Sequence, residues 1–318
     1  MSAFQNNHTT MRVYVTERCN ANCKSCFNAM SRSNAEMSTN DFSMLCDYLK
    51  ENGITFLKIM GGEPTVHNDF EKIIEIAQNH FTGLSLFTNG INRRIKNIHF
   101  RDTDSVVFNF LFSKLLSEET LYLENGGKRN LEIQIHSDTD EVELVKSIIN
   151  IARIDKDRIH ISLTLDCTSN IFLEKNVIVK KLQYIENFLS NNNYTFGYDH
   201  RMPLCYLYKT GLHPSADGMC NFSNSGLIGA DFKLRFCNQH NKKIIPLYEN
   251  NRFIPWEIVK NHLYESYYEL QAKSLNKICS NCIFYGKGCN GGCWISNDNI
   301  TYEDIIKNTE FPLQKHKC

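Results

Sequence analysis

Strand-like apolar runs alternate with helix-period runs along residues 12–166, and this alternation limits the possible folds more than any other feature. Arg12–Thr16, Phe56–Met60, Leu84–Thr88, Val106–Leu111, Leu131–His136 and Ile159–Leu165 carry the strand pattern. Helical stripes lie between most of them: Phe42, Leu45, Cys46 and Leu49; Phe70, Ile73, Ile74 and Ala77; Val145, Ile148, Ile149 and Ala152. Ser38, Thr39 and Asn40 offer caps for the first helix, and Gly53 ends it. Such alternation predicts an α/β fold with a parallel sheet and right-handed crossovers. Six strands are too few for a closed eight-stranded barrel, so an open, partial one is expected. A helix over about Leu173–Asn191 follows. Beyond Tyr194 strands become short and turns frequent, which puts a domain boundary near residue 200 and divides the chain into 1–200 and 201–318. A helix over about Trp256–Leu275 leads into the last cysteines.

Charge narrows the partners. The chain has 35 basic and 35 acidic residues in 318, which argues against a basic nucleic-acid footprint. No apolar run approaches the ~18 residues of a membrane span. The start, Met1 to Arg12, is polar and lacks the apolar core of a secretion signal. A cytoplasmic protein that engages neither nucleic acid nor membrane is expected.

The thirteen cysteines are an odd number for such a chain. Cytosolic thiols stay reduced, so metal binding or catalysis explains them better than a disulfide framework. Three of them, Cys19, Cys23 and Cys26, follow the first predicted strand, and in parallel α/β folds chemistry gathers at the carboxyl ends of strands. A [4Fe–4S] cluster normally takes four cysteines; three local ones leave an iron open, as a catalytic metal requires. A zinc site or scattered core thiols are the plainer alternatives. Directly after the second predicted strand stands Gly61-Gly62-Glu63-Pro64-Thr65. Its glycines allow close approach of backbone to a ligand, and Glu63 supplies an acceptor for an ammonium group. His67, just beyond, reads as a surface residue.

With Cys19, Cys23, Cys26, the neighbouring aromatic Phe27 and Gly61–Pro64, the sequence resembles the radical S-adenosylmethionine (radical SAM) superfamily over about residues 10–200. The resemblance implies a partial (β/α)6 TIM-like barrel. It implies a [4Fe–4S] cluster whose open iron is chelated by S-adenosylmethionine, cleaved on reduction to methionine and a 5′-deoxyadenosyl radical that takes a hydrogen atom from substrate. Gly61, Gly62, Glu63 and Pro64 would bind the methionine amino group. Asn109 on the fourth strand stands where the family often places a polar contact to the cofactor. Thr88 and Asn89, ending the third strand, are further pocket candidates, with a helix cap as the alternative.

The last hundred residues carry Cys220, Cys237, Cys279, Cys282, Cys289, Cys293 and Cys318. Taken alone these soft ligands fit a structural zinc site. In this context they resemble the SPASM extension of radical SAM enzymes, a small cysteine-rich domain with auxiliary [4Fe–4S] clusters. The resemblance assigns Cys279, Cys282, Cys289 and Cys318 to the distal cluster, and Cys220, Cys237 and Cys293 to the proximal one. Cys205, substrate or nothing would complete the proximal site, giving one or two auxiliary clusters. Two departures stand out. Six residues, Ile283 to Gly288, replace the usual five, and Phe232 stands where the family has glycine five residues before the second cysteine.

Candidate reaction-determining residues lie at the strand ends: His136 on the fifth strand, Asp166 and Cys167 on the sixth. Cys167 could return a hydrogen atom to a carbon radical, and Asp166 could take a proton. Packing is the plainer role for each, as for Cys46. The family suggests modification of a ribosomally made peptide by crosslink, thioether or epimerisation. The alternatives are a sugar or aminocyclitol dehydrogenase or epimerase, and a sulfatase-maturing enzyme. A zinc-binding structural protein is the non-catalytic alternative. An electron donor such as flavodoxin or ferredoxin is implied. Because only 18 residues precede Cys19, a leader peptide would need a separate recognition protein or direct binding.

Overall fold

The structure is a computed structural model that describes residues 9–23, 26, 28, 33–110, 123–151, 158–165, 174–198, 210–212, 226–237 and 244–273. Its chain divides into two units, Met1–Leu131 with Phe222–Tyr267, and Glu132–Asn221 with Tyr268–Cys318.

The first unit is built on β1 (Thr10–Thr16), whose residues from Met11 onward are all buried. A strand covered on both faces is the mark of a parallel sheet with helices packed on it. Helix α1 (Thr39–Glu51) leads to β2 (Phe56–Gly61), and α2 (Phe70–His80) leads to β3 (Gly83–Thr88) and then β4 (Phe100–Phe110). Each of these strands pairs in parallel with the one before, so Val13, Ile59, Leu86 and Val106 form one row across the sheet. The two apolar stripes expected for α1 and α2 are the faces they bury. Ser38 caps α1 by accepting from the Asp41 N–H at 3.1 Å. Cys46 is fully buried in the α1 stripe, and burial pushes its thiol up, out of reach of chemistry at neutral pH.

Strand β5 (Gly126–Ile135) runs into the second unit, where α3 (Glu141–Ile151), β6 (Ile159–Leu165), α4 (Lys175–Asn191) and β7 (Thr195–Tyr198) follow. There β6 and β7 pair in parallel, so the expected alternation of strands and helices continues in this unit. Strands β4 and β5 begin five or six residues earlier than their apolar runs. Most of the added residues are polar, and two of them, Asp104 and Arg129, are buried charged groups with partners. Asp104 is buried and accepts from the N–H of Leu84 (3.0 Å) and from Arg101 and Gln78, while the buried Arg129 guanidinium lies 5.5 Å from the Phe100 ring centre.

The chain returns to the first unit with β8 (Leu227–Ile228), β9 (Lys233–Arg235) and β10 (Ile244–Pro246). They extend the sheet beyond β1 in the order β10-β9-β8-β1-β2-β3-β4, with β8 parallel to β1 and with β9 antiparallel to both β8 and β10. The hairpin β11 (Tyr248–Glu249) and β12 (Arg252–Phe253) precedes α5 (Trp256–Lys273). It docks on α1 through Tyr48, which stacks on Phe253 at 4.4 Å and donates from its hydroxyl to the Ile254 carbonyl at 2.9 Å. No helix among the described residues is long and apolar enough to cross a membrane.

Phe232 closes the β8–β9 turn with a φ of 57°, the left-handed region that a bulky residue rarely enters and that glycine commonly supplies in such turns. Its backbone is tied on both sides, by its N–H to the Gly229 carbonyl (3.0 Å) and by the Leu247 N–H to its own carbonyl (2.8 Å). Its ring packs near Tyr248 and Phe253. The left-handed turn that glycine would favour is therefore present, with an aromatic anchor in its place. Phe232→Ala and Phe232→Gly both remove that anchor, so their difference reports backbone strain alone. Thermal unfolding should find the glycine variant more stable than the alanine variant by about 1 kcal/mol; the reverse order would refute a left-handed requirement.

Candidate functional site

A small pocket of about 70 Å³, open to solvent, lies at the carboxyl ends of β1 to β4. Tyr14, Met60, Phe87 and Asn109 line it from the four strands; Cys19, Ala21 and Cys23 line it from the segment after β1; Gly61, Gly62, Glu63 and Asn89 complete it. All belong to the first unit.

The turn after β2 is laced to the segment entering the cysteines. The Gly62 N–H donates to the Thr16 carbonyl (2.9 Å) and the Glu63 N–H to the Arg18 carbonyl (2.8 Å). A methyl group on Gly61 would sit 2.2 Å from the Thr16 oxygen, and one on Gly62 would sit 2.2 Å from the Arg18 oxygen. The close approach that the glycine pair permits is thus to this chain's own backbone, which the sequence reading ascribed to a ligand.

Glu63 is 1% exposed and its carboxylate gathers four donors. Oε1 accepts from the Thr65 N–H (3.2 Å), the Thr65 hydroxyl (2.6 Å) and the Thr88 hydroxyl (2.7 Å), and Oε2 from the Asn89 N–H (2.7 Å). Burial pushes the carboxyl above its ordinary range, while the bonds from Thr65, Asn89 and Thr88 pull it back. The side chain proposed from sequence as an ammonium acceptor therefore also joins the ends of β2 and β3.

His67 corrects the surface reading: it is 1% exposed. The Asp69 N–H donates to Nδ1 (3.0 Å), so the ring proton is on Nε2, which donates to the Met37 carbonyl (2.8 Å). Arg94 secures the same stretch, donating to the carbonyls of His67 (2.5 Å) and Asn68 (3.1 Å) while pairing with Glu71. Hydrogen bonding from Arg94 holds the Glu71 carboxyl at about 2. Arg18, next to Cys19, reaches the Val66 carbonyl (3.0 Å) and pairs with Glu36.

Cys19, Cys23 and Cys26 are free thiols of intermediate exposure. Cys19 and Cys23 face the pocket, whereas Cys26 is absent from its lining. Among the described residues no three His, Cys, Asp or Glu side chains are gathered closely enough to hold a metal. Three soft thiols close together in sequence, two of them open on a pocket, fit an iron–sulfur cluster in donor chemistry. Asn109 is half-buried on the pocket wall. Pro64 and Thr88 are buried and are not part of the pocket lining. Cys237 is buried after β9 and in no disulfide, and His136 follows β5 in the second unit; neither lines the pocket. Phe27, Asp166, Cys167, Cys205, Cys220, Cys279, Cys282, Cys289, Cys293 and Cys318 lie outside the described residues.

Several contributors escaped the sequence reading. Tyr14, Met60 and Phe87 form the apolar wall, a placement that their positions at strand ends could have signalled. Glu17 is 3% exposed and accepts from Asn28 (3.2 Å), with Arg235 of β9 at 3.9 Å. Burial raises its carboxyl, and Asn28 and Arg235 oppose that. No local pattern announces a partner more than two hundred residues away.

Two substitutions test this construction. Gly62→Ala should cost about 3 kcal/mol of stability in a thermal or urea unfolding measurement, because the methyl group meets fixed backbone; a silent substitution would show that the two segments are not in contact. Glu63→Gln keeps the size but turns an acceptor into a donor facing donors, and should cost about 2 kcal/mol by the same measurement. Unchanged stability would remove Glu63 from the centre of the network.

The radical SAM superfamily profile matches residues 13–165. The probable GTP 3′,8-cyclase of Methanothermobacter thermautotrophicus is 35% identical over 83 residues, 26% of this chain and 27% of that protein; the match thus spans about a quarter of that relative. Among solved structures, Streptococcus suis SuiB bound to S-adenosylmethionine superposes with a TM-score of 0.66 at 16% identity, covering 90% of this chain and 73% of SuiB. Native anSMEcpe with bound AdoMet and Cp18Cys peptide superposes at 0.60 and 18% identity, covering 95% and 92%. At these identities the two structures speak for the fold. The matched residues, just under half of this chain, carry the domain of the radical SAM superfamily of enzymes, whose members hold a [4Fe–4S] cluster and S-adenosylmethionine.

Proposed function

We propose that this chain modifies a ribosomally made peptide by radical SAM chemistry. The observation that carries the chemistry is the pocket at the strand ends, where Cys19 and Cys23 face the Gly61–Glu63 turn, Asn89 and Asn109. When bound and reduced, the cluster supplies the electron that cleaves S-adenosylmethionine to methionine and a 5′-deoxyadenosyl radical, which takes a hydrogen atom from substrate. Cys19, Cys23 and Cys26 hold the cluster. The turn at Gly61–Pro64 and the polar groups of Thr88, Asn89 and Asn109 orient S-adenosylmethionine, while Tyr14, Met60 and Phe87 keep water from the reacting centre. His136, Asp166 and Cys167 remain the candidates for contact with substrate.

The peptide assignment draws on two structural relatives, SuiB bound to its precursor peptide SuiA and anSMEcpe bound to a Cp18Cys peptide. In this reading residues 1–200 make the barrel and 201–318 a SPASM-type domain, in which Cys205, Cys220, Cys237, Cys279, Cys282, Cys289, Cys293 and Cys318 supply the ligands for one or two auxiliary clusters. A flavodoxin or ferredoxin supplies electrons, and any leader peptide binds directly or through a separate recognition protein. The second reading, a small-molecule substrate, is favoured by the cyclase relative, whose name specifies a nucleotide.

Iron, acid-labile sulfide and zinc per chain after anaerobic reconstitution test the cofactor assignment. About twelve irons with matching sulfide would support three clusters, about four a single one, and zinc without iron would overturn the reading. With dithionite, the wild type should convert S-adenosylmethionine to 5′-deoxyadenosine, and a Cys19/Cys23/Cys26→Ala variant should lose at least a hundredfold of that rate. Equal turnover would refute the cluster assignment. Mass spectrometry of peptides encoded near the gene then separates the readings. A mass change that requires S-adenosylmethionine supports the peptide, and turnover confined to small molecules rejects it.

A further inference from the structure

Asn89 stands between the rigid turn and the first cysteine. Its backbone N–H donates to Glu63 Oε2 (2.7 Å), which fixes the residue at the end of β3. Its side-chain oxygen accepts from the Ile91 N–H (3.0 Å). A backbone N–H can only donate, so this contact identifies the oxygen and turns the amide nitrogen the other way. That nitrogen donates to Asn20 Oδ1 (2.8 Å) and has Cys19 Sγ at 4.0 Å. The residue is 8% exposed, so water competes little for the amide.

Cys19 Sγ also accepts from the Ala21 N–H at 3.4 Å. The two donors differ in kind. Ala21 belongs to the cysteine segment itself, two residues from Cys19. Asn89 reaches over from a strand end seventy positions away in sequence and is held by contacts that involve no metal. A hydrogen bond to a cluster-ligating sulfur favours the reduced, more negative cluster, so such bonds help to set the reduction potential. Given the cluster assignment above, on which this rests, we propose that Asn89 is a positioning residue that presents a side-chain N–H to the Cys19 sulfur and raises the potential of the cluster.

The test is a redox titration of the reconstituted full chain, followed by electron paramagnetic resonance, in the wild type, Asn89→Ala and Asn89→Asp. Alanine removes the donor. Aspartate keeps an acceptor for the Ile91 N–H but presents an oxygen to the sulfur. Alanine should lower the reduced-to-oxidised ratio at a fixed ambient potential about tenfold, equivalent to ~59 mV for a one-electron couple, and aspartate should lower it at least as far. Both variants holding a full cluster at the wild-type potential would overturn the proposal. Loss of the cluster from both, with unchanged melting curves, would also overturn it, because Asn89 would then build the site rather than tune it. A wild type that takes up no iron or sulfide would remove the cluster assignment itself, and this inference with it.

Discussion

The buried carboxylate of Glu63 is the interaction on which the site depends. Removing a carboxylate from water is costly unless donors replace the lost solvent. Here the Thr65 N–H and hydroxyl, the Thr88 hydroxyl and the Asn89 N–H do so together. Because all four donors converge on one small group, they are not independent. Shifting one changes the position of the carboxylate for the others, as in any buried polar network. The ends of β2 and β3 are thereby fixed to each other at the place where a parallel sheet presents its functional edge.

This anchor explains the glycines. With the turn held by Glu63 on one side and by the carbonyls of Thr16 and Arg18 on the other, no volume remains for side chains at positions 61 and 62. The pocket therefore has a tight floor of strand ends and turn backbone, on which the cysteine segment lies with its thiols partly open. Floor and segment have different physical characters. One is held by buried hydrogen bonds that need no ligand. The other presents half-buried thiols that a bound metal would tie together.

Patterns of period and spacing were the legible part of the sequence. The apolar stripes of α1 and α2 are buried residue for residue, because a helical stripe has no stable place other than a core. The cysteine spacing and the Gly-Gly-Glu-Pro turn marked the pocket, since both follow strands whose apolar runs were plain. Partnerships across long sequence distances were illegible. His67 looked like an exposed polar residue, yet the Met37 carbonyl and the Asp69 N–H satisfy both of its nitrogens and allow it to be buried. The early starts of β4 and β5 were hidden by polar residues whose partners, such as Leu84 for Asp104, come from neighbouring elements. Phe232 shows the intermediate case. The missing glycine was visible, but the tolerance of the turn for phenylalanine depends on a ring cluster assembled from Tyr248 and Phe253.

The division into hydrogen-bonded floor and cysteine segment bears on how an electron-transfer centre is tuned. A donor carried on the segment follows the sulfur wherever metal binding draws it, so it contributes the same hydrogen bond in any geometry. A donor carried on the floor discriminates, because its bond forms only when the sulfur arrives at one place. Asn89 is such a donor, set by Glu63 through its own backbone. The same carboxylate that holds two strand ends together thus also sets, through the Asn89 backbone, where the side-chain amide meets Cys19.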